Sequence, residues 1–318
     1  MRDARLSSLV RFLYERHPQR PFDPVDAWLE WAPMNDLEGK TFFVTGANTG
    51  IGKATAFALA KRGGHVILAS RSEEKTRPAM AEIAAAVPGA KLDFRALDLA
   101  SLSQVERCAK SFLDSGQKLD VLVNNAGLAG STGVTQDGLE ITTGTNHIGP
   151  FLLTDLLLPR LKEAKAARIV NVASAAHYSA KRLDMGMLHH HVTSATKTLP
   201  YYNQSKLMNV IHAMELSRRL EGTGVTTYSL HPGVVASDVW RGVPWPFRSL
   251  IKLFMLTNED GALTQLKCAT DEALRSQSGR YYDKQREKAP NPVALDVAAG
   301  IELFSKSQEI VETALKKA

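Results

Sequence analysis

From Gly39 onward the chain alternates between short β-branched apolar runs and longer stretches whose apolar residues recur at helical spacing. The runs KTFFVTG, HVILASR, KLDFRALD, DVLVNNAG, ARIVNVAS and TTYSLHPG are nearly continuous in apolar character, as strands buried on both faces of a sheet are. Residues 53–62, 73–87, 103–113, 151–165 and 205–220 between them read as helices. This alternation predicts an α/β fold, a parallel sheet doubly wound through right-handed crossovers and covered by helices on both faces. A single domain over residues 40–318 is expected, without internal repeats.

Residues 1–39 follow a different pattern. Arg2, Arg5, Arg11, Arg16 and Arg20 stand against Asp3 and Glu15, and Leu6, Leu9, Val10 and Leu13 form one apolar helical stripe before HPQRPFDP breaks it. An N-terminal helical extension is expected. Two readings stay open for it: packing against the main domain or a subunit partner, or lying on a membrane surface.

Composition narrows the class. The 318 residues are 44% apolar and 23% charged, enough for a sizeable core. Cys108 and Cys268 lie far apart, each in a helical pattern, which fits a reducing compartment and gives neither a disulfide framework nor a CxxC site. No apolar run reaches the roughly 18–20 residues of a membrane span, and the N-terminus shows no signal-peptide core. A cytoplasmic location is expected, with peripheral membrane contact through residues 1–16 or 240–256 as a second reading. The net charge of +6 raises the question of nucleic acid, but the basic residues are interleaved with acids and lack recognition motifs. An anionic cofactor accounts for that balance, and no nucleic-acid partner is expected. Consecutive histidines at 189–191 cannot all face one way, and no cysteine or carboxylate cluster accompanies them, so no metal site is expected.

The first strand runs into TGANTGIG, Thr45 to Gly52, which opens a helix. Glycines there let the backbone turn sharply and approach a pyrophosphate, while the helix N-terminus favours its charge. The spacing is GxxxGxG rather than GxGxxG, but the strand–turn–helix context is the one a dinucleotide-binding, Rossmann-type site needs. The second strand ends in Ser70 and Arg71, with no acid before Glu73. An acid there would hold a ribose 2′-OH; Arg71 suits a 2′-phosphate instead, so the expected cofactor is NADP(H).

These motifs, taken in order, resemble the short-chain dehydrogenase/reductase family over residues of about 39 to 318. TGANTGIG resembles its cofactor turn, NNAG at Asn124–Gly127 its fourth-strand motif, LDLAS its adenine-side aspartate, and HPGVVASDV its Pro-Gly turn. The resemblance implies a cofactor site of Gly46, Asn48, Thr49, Gly50, Ile51, Gly52, Arg71, Asp98, Leu99, Asn125, Ala126, Gly127, Tyr202, Lys206, Pro232, Gly233, Val235 and Ser237. It implies a catalytic set of Asn146, Ser174, Tyr202 and Lys206.

The chemistry suits those residue types. Hydride transfer belongs to the nicotinamide; the protein supplies a proton and a fixed geometry. A phenol with a pKa near 10 is a poor base at neutral pH. An ammonium four residues along the helix, Lys206, together with the oxidised ring, is expected to favour the Tyr202 phenolate. Ser174 is expected to hydrogen-bond the substrate oxygen, and Asn146 to anchor a water serving the lysine. The adjacent Tyr201 lacks the four-residue offset and is expected to face away or line the pocket.

Tyr202 lies 28 residues after Ser174, across an insert containing MGMLHHHVTSATK. With TNHIGPFLLTDLLLP, YNQSKLMNV and SGRYYDKQREKAPNP, this insert resembles the retinol dehydrogenase-like branch. The related protochlorophyllide reductases carry a cysteine near the catalytic tyrosine that YNQSK lacks. Residues 237–256 hold Trp240, Trp245, Phe247, Leu250, Ile251, Leu253 and Phe254, read either as a packed helix or as a lid over a hydrophobic pocket. The function expected is oxidoreduction of a hydrophobic alcohol, aldehyde or ketone by a homo-oligomer. An extended-type epimerase or dehydratase shares the tyrosine–lysine pair but has a different glycine turn; a non-catalytic nucleotide-binding scaffold is the third reading.

Overall fold

The computed structural model describes residues 36–235 and 256–316. The helix expected in residues 1–35, Ser237 and the body of the expected lid lie outside the described residues.

Strands β1 (Thr41–Thr45), β2 (His65–Ser70), β3 (Leu92–Ala96), β4 (Val121–Asn124), β5 (Arg168–Val172) and β6 (Thr226–His231) coincide with the six apolar runs. Two more follow, β7 (Arg280–Asp283) and β8 (Arg286–Glu287), giving one eight-stranded sheet of order β3-β2-β1-β4-β5-β6-β7-β8. All neighbours are parallel except β7 and β8, which form a hairpin. Its turn residues Lys284 and Gln285 both have positive φ, 50° and 63°, the backbone a tight two-residue hairpin requires. The sequence RYYD gives no apolar run, yet Tyr281 and Tyr282 are fully buried: their rings supply the apolar bulk that valine supplies elsewhere.

Helices α1 (Gly50–Lys61), α2 (Glu73–Ala86), α3 (Leu102–Asp114), α4 (Gly149–Lys162), α5 (Leu199–Arg219), α6 (Asn258–Thr270) and α7 (Val297–Leu315) cover the sheet. Alternation within each strand divides the interior in two. Phe43, Ile67, Leu122 and Ile169 face the core shared with α3, α4, α5 and α7. Phe42, Val44, Val66, Val123 and Val170 face the core shared with α1 and α6. Cys108 and Cys268 are free thiols, one in each core. The short approach to β1 is pinned rather than loose: Leu37 is buried, its N–H donates to Arg62 O at 3.1 Å, and Arg62 Nε donates to Asp36 at 2.8 Å.

Strand order reverses between β1 and β4, so the C-terminal ends of these two strands open the crevice in which α/β sheets hold ligands. α5 begins at Leu199, six residues earlier than its apolar periodicity suggests, with Pro200 in its first turn. This early start places Tyr202 on the helix at the same end of the sheet. Among the described residues, no helix is long and apolar enough to cross a membrane.

Candidate active site

The turn after β1 is closed from across the crevice. Gly46 and Gly50 have φ of +66° and +57°, which only glycine adopts freely. A Cβ on Gly46 would lie 3.0 Å from the Cα of Ala126, and one on Gly52 only 2.4 Å from Gly46 O. The β1 turn and the β4 motif therefore touch backbone to backbone. Thr45 Oγ1 accepts from the N–H groups of Asn125 and Ala126 at 3.0 and 2.9 Å. Asn125 Nδ2 donates to Thr45 O at 2.8 Å, and its Oδ1 accepts from Gln265 on α6 at 3.0 Å. The Asn125 carboxamide thus braces the glycine turn. Thr45 and Gln265, which local motif reading misses, complete the brace.

α1 starts without an internal anion. Its N-cap residue Thr49 makes no side-chain cap and no acid stands in the first turn, so the positive end of a 12-residue helix faces the crevice. Ile51 packs there beside Val235, both within reach of a Cβ built on Gly261. This contact brings the Pro232–Gly233 turn after β6 to the glycine turn. Gly233, at φ +91°, lies against Leu256, and Val235 bridges Leu256, so the described residues 235 and 256 are backbone neighbours.

The residues expected on the adenine side follow β2 and β3. Arg71 is exposed at the end of β2, and among the described residues its side chain makes no ion pair or hydrogen bond. Asp98 Oδ1 accepts from Ala100 N at 3.0 Å, fixing the bend after β3. Leu99 is buried, with its carbonyl against Gly149 of α4, where a Cβ would come within 2.4 Å. Asn48 sits half-buried in the β1 turn.

Four residues meet at the ends of β4 and β5. Tyr202 is buried, 8% exposed, one helical turn before Lys206, whose Nζ lies 5.6 Å from the phenol ring centre. Lys206, 4% exposed, donates to Val172 O at 2.9 Å. Ser174 follows Val172 by two residues and caps the turn Ala175–Ser179, its Oγ accepting from Ala176 N at 3.2 Å. Asn146 sits in a π-helical turn, Gly144–Ile148, ahead of α4. Its Oδ1 accepts from Leu128 N at 2.8 Å, and its Nδ2 donates to Leu128 O and Ser205 Oγ at 2.9 and 3.0 Å. Its side chain therefore fastens the segment after β4 to α5, leaving one acceptor lone pair for a water. Gly127 is the meeting point, since a Cβ there would stand 3.3 Å from Asn146 Oδ1 and 3.4 Å from Lys206 Nζ.

Electrostatics differ from the sequence expectation. Burial pushes the Tyr202 phenol above its ordinary value, and a hydrogen bond with Ser174 pulls it part of the way back. Burial also lowers Lys206 to about 8, and its ammonium points at the Val172 carbonyl. In the protein alone, the lysine does not make the tyrosine acidic. Tyr201 is separate from this group: its hydroxyl meets His190 Nδ1 at 2.9 Å near the surface.

The residues present fit a dinucleotide. A glycine cradle that a Cβ would fill, an uncapped helix N-terminus and an arginine without a partner among the described residues line one crevice, leading to a buried phenol and ammonium. Comparison with known proteins gives the same class. The family model for short chain dehydrogenase matches residues 40–185. A Bos taurus protein named dehydrogenase/reductase SDR family member 13 is 44% identical over 87% of this chain and 74% of its own. Retinol dehydrogenase 13 of Homo sapiens is 40% identical over 86% of this chain and 85% of its own. A crystal structure of a protein from Mycobacterium Paratuberculosis, 30% identical, superposes with a TM-score of 0.70 over 88% of this chain and 96% of that one.

Proposed function

The chain belongs to the short-chain dehydrogenase/reductase family and is an oxidoreductase, and from that premise we propose that it moves a hydride between NADP(H) and a hydrophobic alcohol, aldehyde or ketone. Tyr202 is the general acid/base in this reading. The observation that carries it is the convergence of half-buried Ser174 with buried Tyr202 and Lys206 beside the glycine cradle.

The backbone of Gly46 to Gly52 and the N-terminus of α1 would hold the pyrophosphate, and Arg71 the 2′-phosphate. Asp98, Leu99 and the Asn125–Gly127 backbone would border the adenosine half, with Lys206 at the nicotinamide ribose and the Pro232–Val235 turn beyond it. Bound there, the nicotinamide supplies or accepts the hydride. Everything else falls to the chain's own side chains.

Ser174 donates a hydrogen bond to the substrate oxygen and stabilises charge growing on it. Tyr202, kept protonated by burial, is a donor ready to give its proton to that oxygen as a carbonyl is reduced. The phenolate left behind faces Lys206, which at about 8 is still largely protonated at neutral pH and so stabilises it. In the oxidative direction the same charge favours the phenolate as base. Asn146 keeps Leu128 and α5 in register around this group.

Two observations favour a lipophilic substrate. Relatives 40% identical and more are named retinol dehydrogenases or SDR family members. Val234 and Leu256, exposed apolar residues, also stand side by side beyond the Pro232–Gly233 turn, the Leu256 N–H donating to Val234 O at 2.8 Å. The test is a screen of NADPH oxidation across hydrophobic aldehydes, ketones and retinoids, with small polar carbonyls beside them. Faster turnover of the polar set would overturn the substrate class, and faster turnover with NADH would overturn the cofactor.

A further inference from the structure

The loop that carries Ser174 is fastened to the C-terminal part of the chain by a buried imidazole. His177 has no solvent exposure, and its Nδ1 lies 2.6 Å from Ser174 O. Its Nε2 lies 3.1 Å from the backbone N of Asn291. A backbone N–H can only donate, so Nε2 accepts and the ring proton sits on Nδ1, aimed at the Ser174 carbonyl. The geometry alone fixes the tautomer. The N–H of His177 donates to that same carbonyl at 3.1 Å.

Other contacts close the staple. Asn291 Nδ2 donates to His177 O and Ala180 O at 2.8 and 2.7 Å, while its Oδ1 accepts from Val293 N at 2.9 Å. Tyr178 lies over the imidazole with ring centres 3.9 Å apart and donates its hydroxyl to Ala289 O at 2.5 Å. Tyr281 of β7 packs on the ring at 4.7 Å. The charged and titratable groups around it are His231, Lys288, Asp283 and the two tyrosines. Burial holds the ring near a pKa of about 4, so the neutral form persists through neutral pH.

We propose that His177 is a positioning residue, whose Nδ1–H, locked by Asn291, holds the Ser174 peptide so that its hydroxyl stays beside Tyr202. The inference rests on the role given to Ser174 above. Turning the Ser174 peptide would break two hydrogen bonds at its carbonyl, and a staple of residues 289–291 prevents that turn. An imidazolium would set a second donor against the Asn291 N–H, so only the neutral tautomer makes both bonds.

Two substitutions separate the two ring nitrogens. In His177→Asn the side-chain amide falls near Nδ1 and can still donate to Ser174 O; in His177→Gln it falls near Nε2 and cannot. The readouts are hydrogen exchange of the 174–180 segment, kcat, KM and the NADPH dissociation constant by fluorescence. For His177→Gln, exchange about tenfold faster is expected, with kcat lower by about 10- to 100-fold while KM and NADPH binding stay within about twofold. His177→Asn is expected to recover kcat to within about fivefold of the wild type. Tyr178→Phe loosens the staple from its exposed side and keeps the test open if the histidine variants do not fold; faster exchange over 174–180 and a loss of about threefold in kcat are expected. Wild-type exchange in His177→Gln or in Tyr178→Phe, or equal kcat losses in the Asn and Gln variants, would overturn the proposal. A wild-type protein that reduces no carbonyl compound, with exchange changing as described, would remove the proposed function and leave the staple in place.

Discussion

Lys206 Nζ donates to the carbonyl of Val172 at 2.9 Å, tying α5 to β5 two residues before Ser174. The bond places a buried cation beside Tyr202 at a cost in stability. Burial lowers Lys206 in the fold to about 8, from its ordinary 10.5. Between those values the unfolded chain binds more protons than the folded one, so stability falls as pH drops from 10.5 to 8 and the full cost is present below 8. Lys206→Met is therefore expected to stabilise the protein at pH 7, by about 1–3 kcal/mol, while lowering kcat by about 10³-fold. Thermal melts beside turnover check this, and a destabilised yet active variant would refute it.

Tyr201 and Tyr202 are adjacent in sequence and opposite in surroundings. One hydroxyl meets His190 at the surface, while the other is buried beside Ser174. Tyr202→Phe is expected to lose about 10²- to 10⁴-fold in kcat, the span of general acid–base catalysis. Tyr201→Phe should stay within about threefold, since it loses one surface hydrogen bond. Steady-state kinetics of the pair decides between them.

In the proposed reading Arg71 selects the cofactor by its charge, and among the described residues it has no competing partner. Arg71→Asp is expected to lower kcat/KM for NADPH by about 10- to 100-fold and to improve NADH relative to it, a loss of about 1.5–3 kcal/mol for a hydrogen bond to a charged group. An unchanged NADPH:NADH ratio would place the 2′-phosphate elsewhere.

Asn125→Ala removes the brace between β1, β4 and α6. It leaves Gln265 and the Thr45 carbonyl short of partners, which costs about 1–3 kcal/mol each where such groups are buried. The expected result is a lower melting temperature together with weaker NADPH binding, since the glycine turn loses its support. Normal stability combined with lost binding would instead show Asn125 contacting the cofactor directly.

Acid should destabilise the fold well before its carboxylates protonate. Burial lowers His147 to about 3 and His177 to about 4, and drives His212 well below its ordinary 6.5. Their folded values are depressed, so their stabilising effect is complete above 6.5 and is lost as pH falls from 6.5 toward 4. Urea midpoints should fall between pH 7 and pH 5. A midpoint that is flat over this range would mean that the three rings are solvated.

Much of this was legible beforehand because it is local. Nearly continuous apolar runs marked the first six strands, and glycine positions marked the dinucleotide turn, since a sharp reversal before a helix requires particular residues at particular places. Tyr202 and Lys206 were legible as a pair because four residues on a helix is one face. β7 was not legible, since its burial comes from tyrosine rings that composition reads as half-polar.

What the sequence determined by itself is therefore the order of elements and the residue types at the crevice, both properties of neighbours along the chain. Tertiary structure decided the partners: Gln265 bracing Asn125 from 140 residues away, and Asn291 holding His177 and through it Ser174. It also decided the proton affinities of Tyr202 and Lys206, because desolvation depends on what the whole fold packs around a group rather than on the residues beside it.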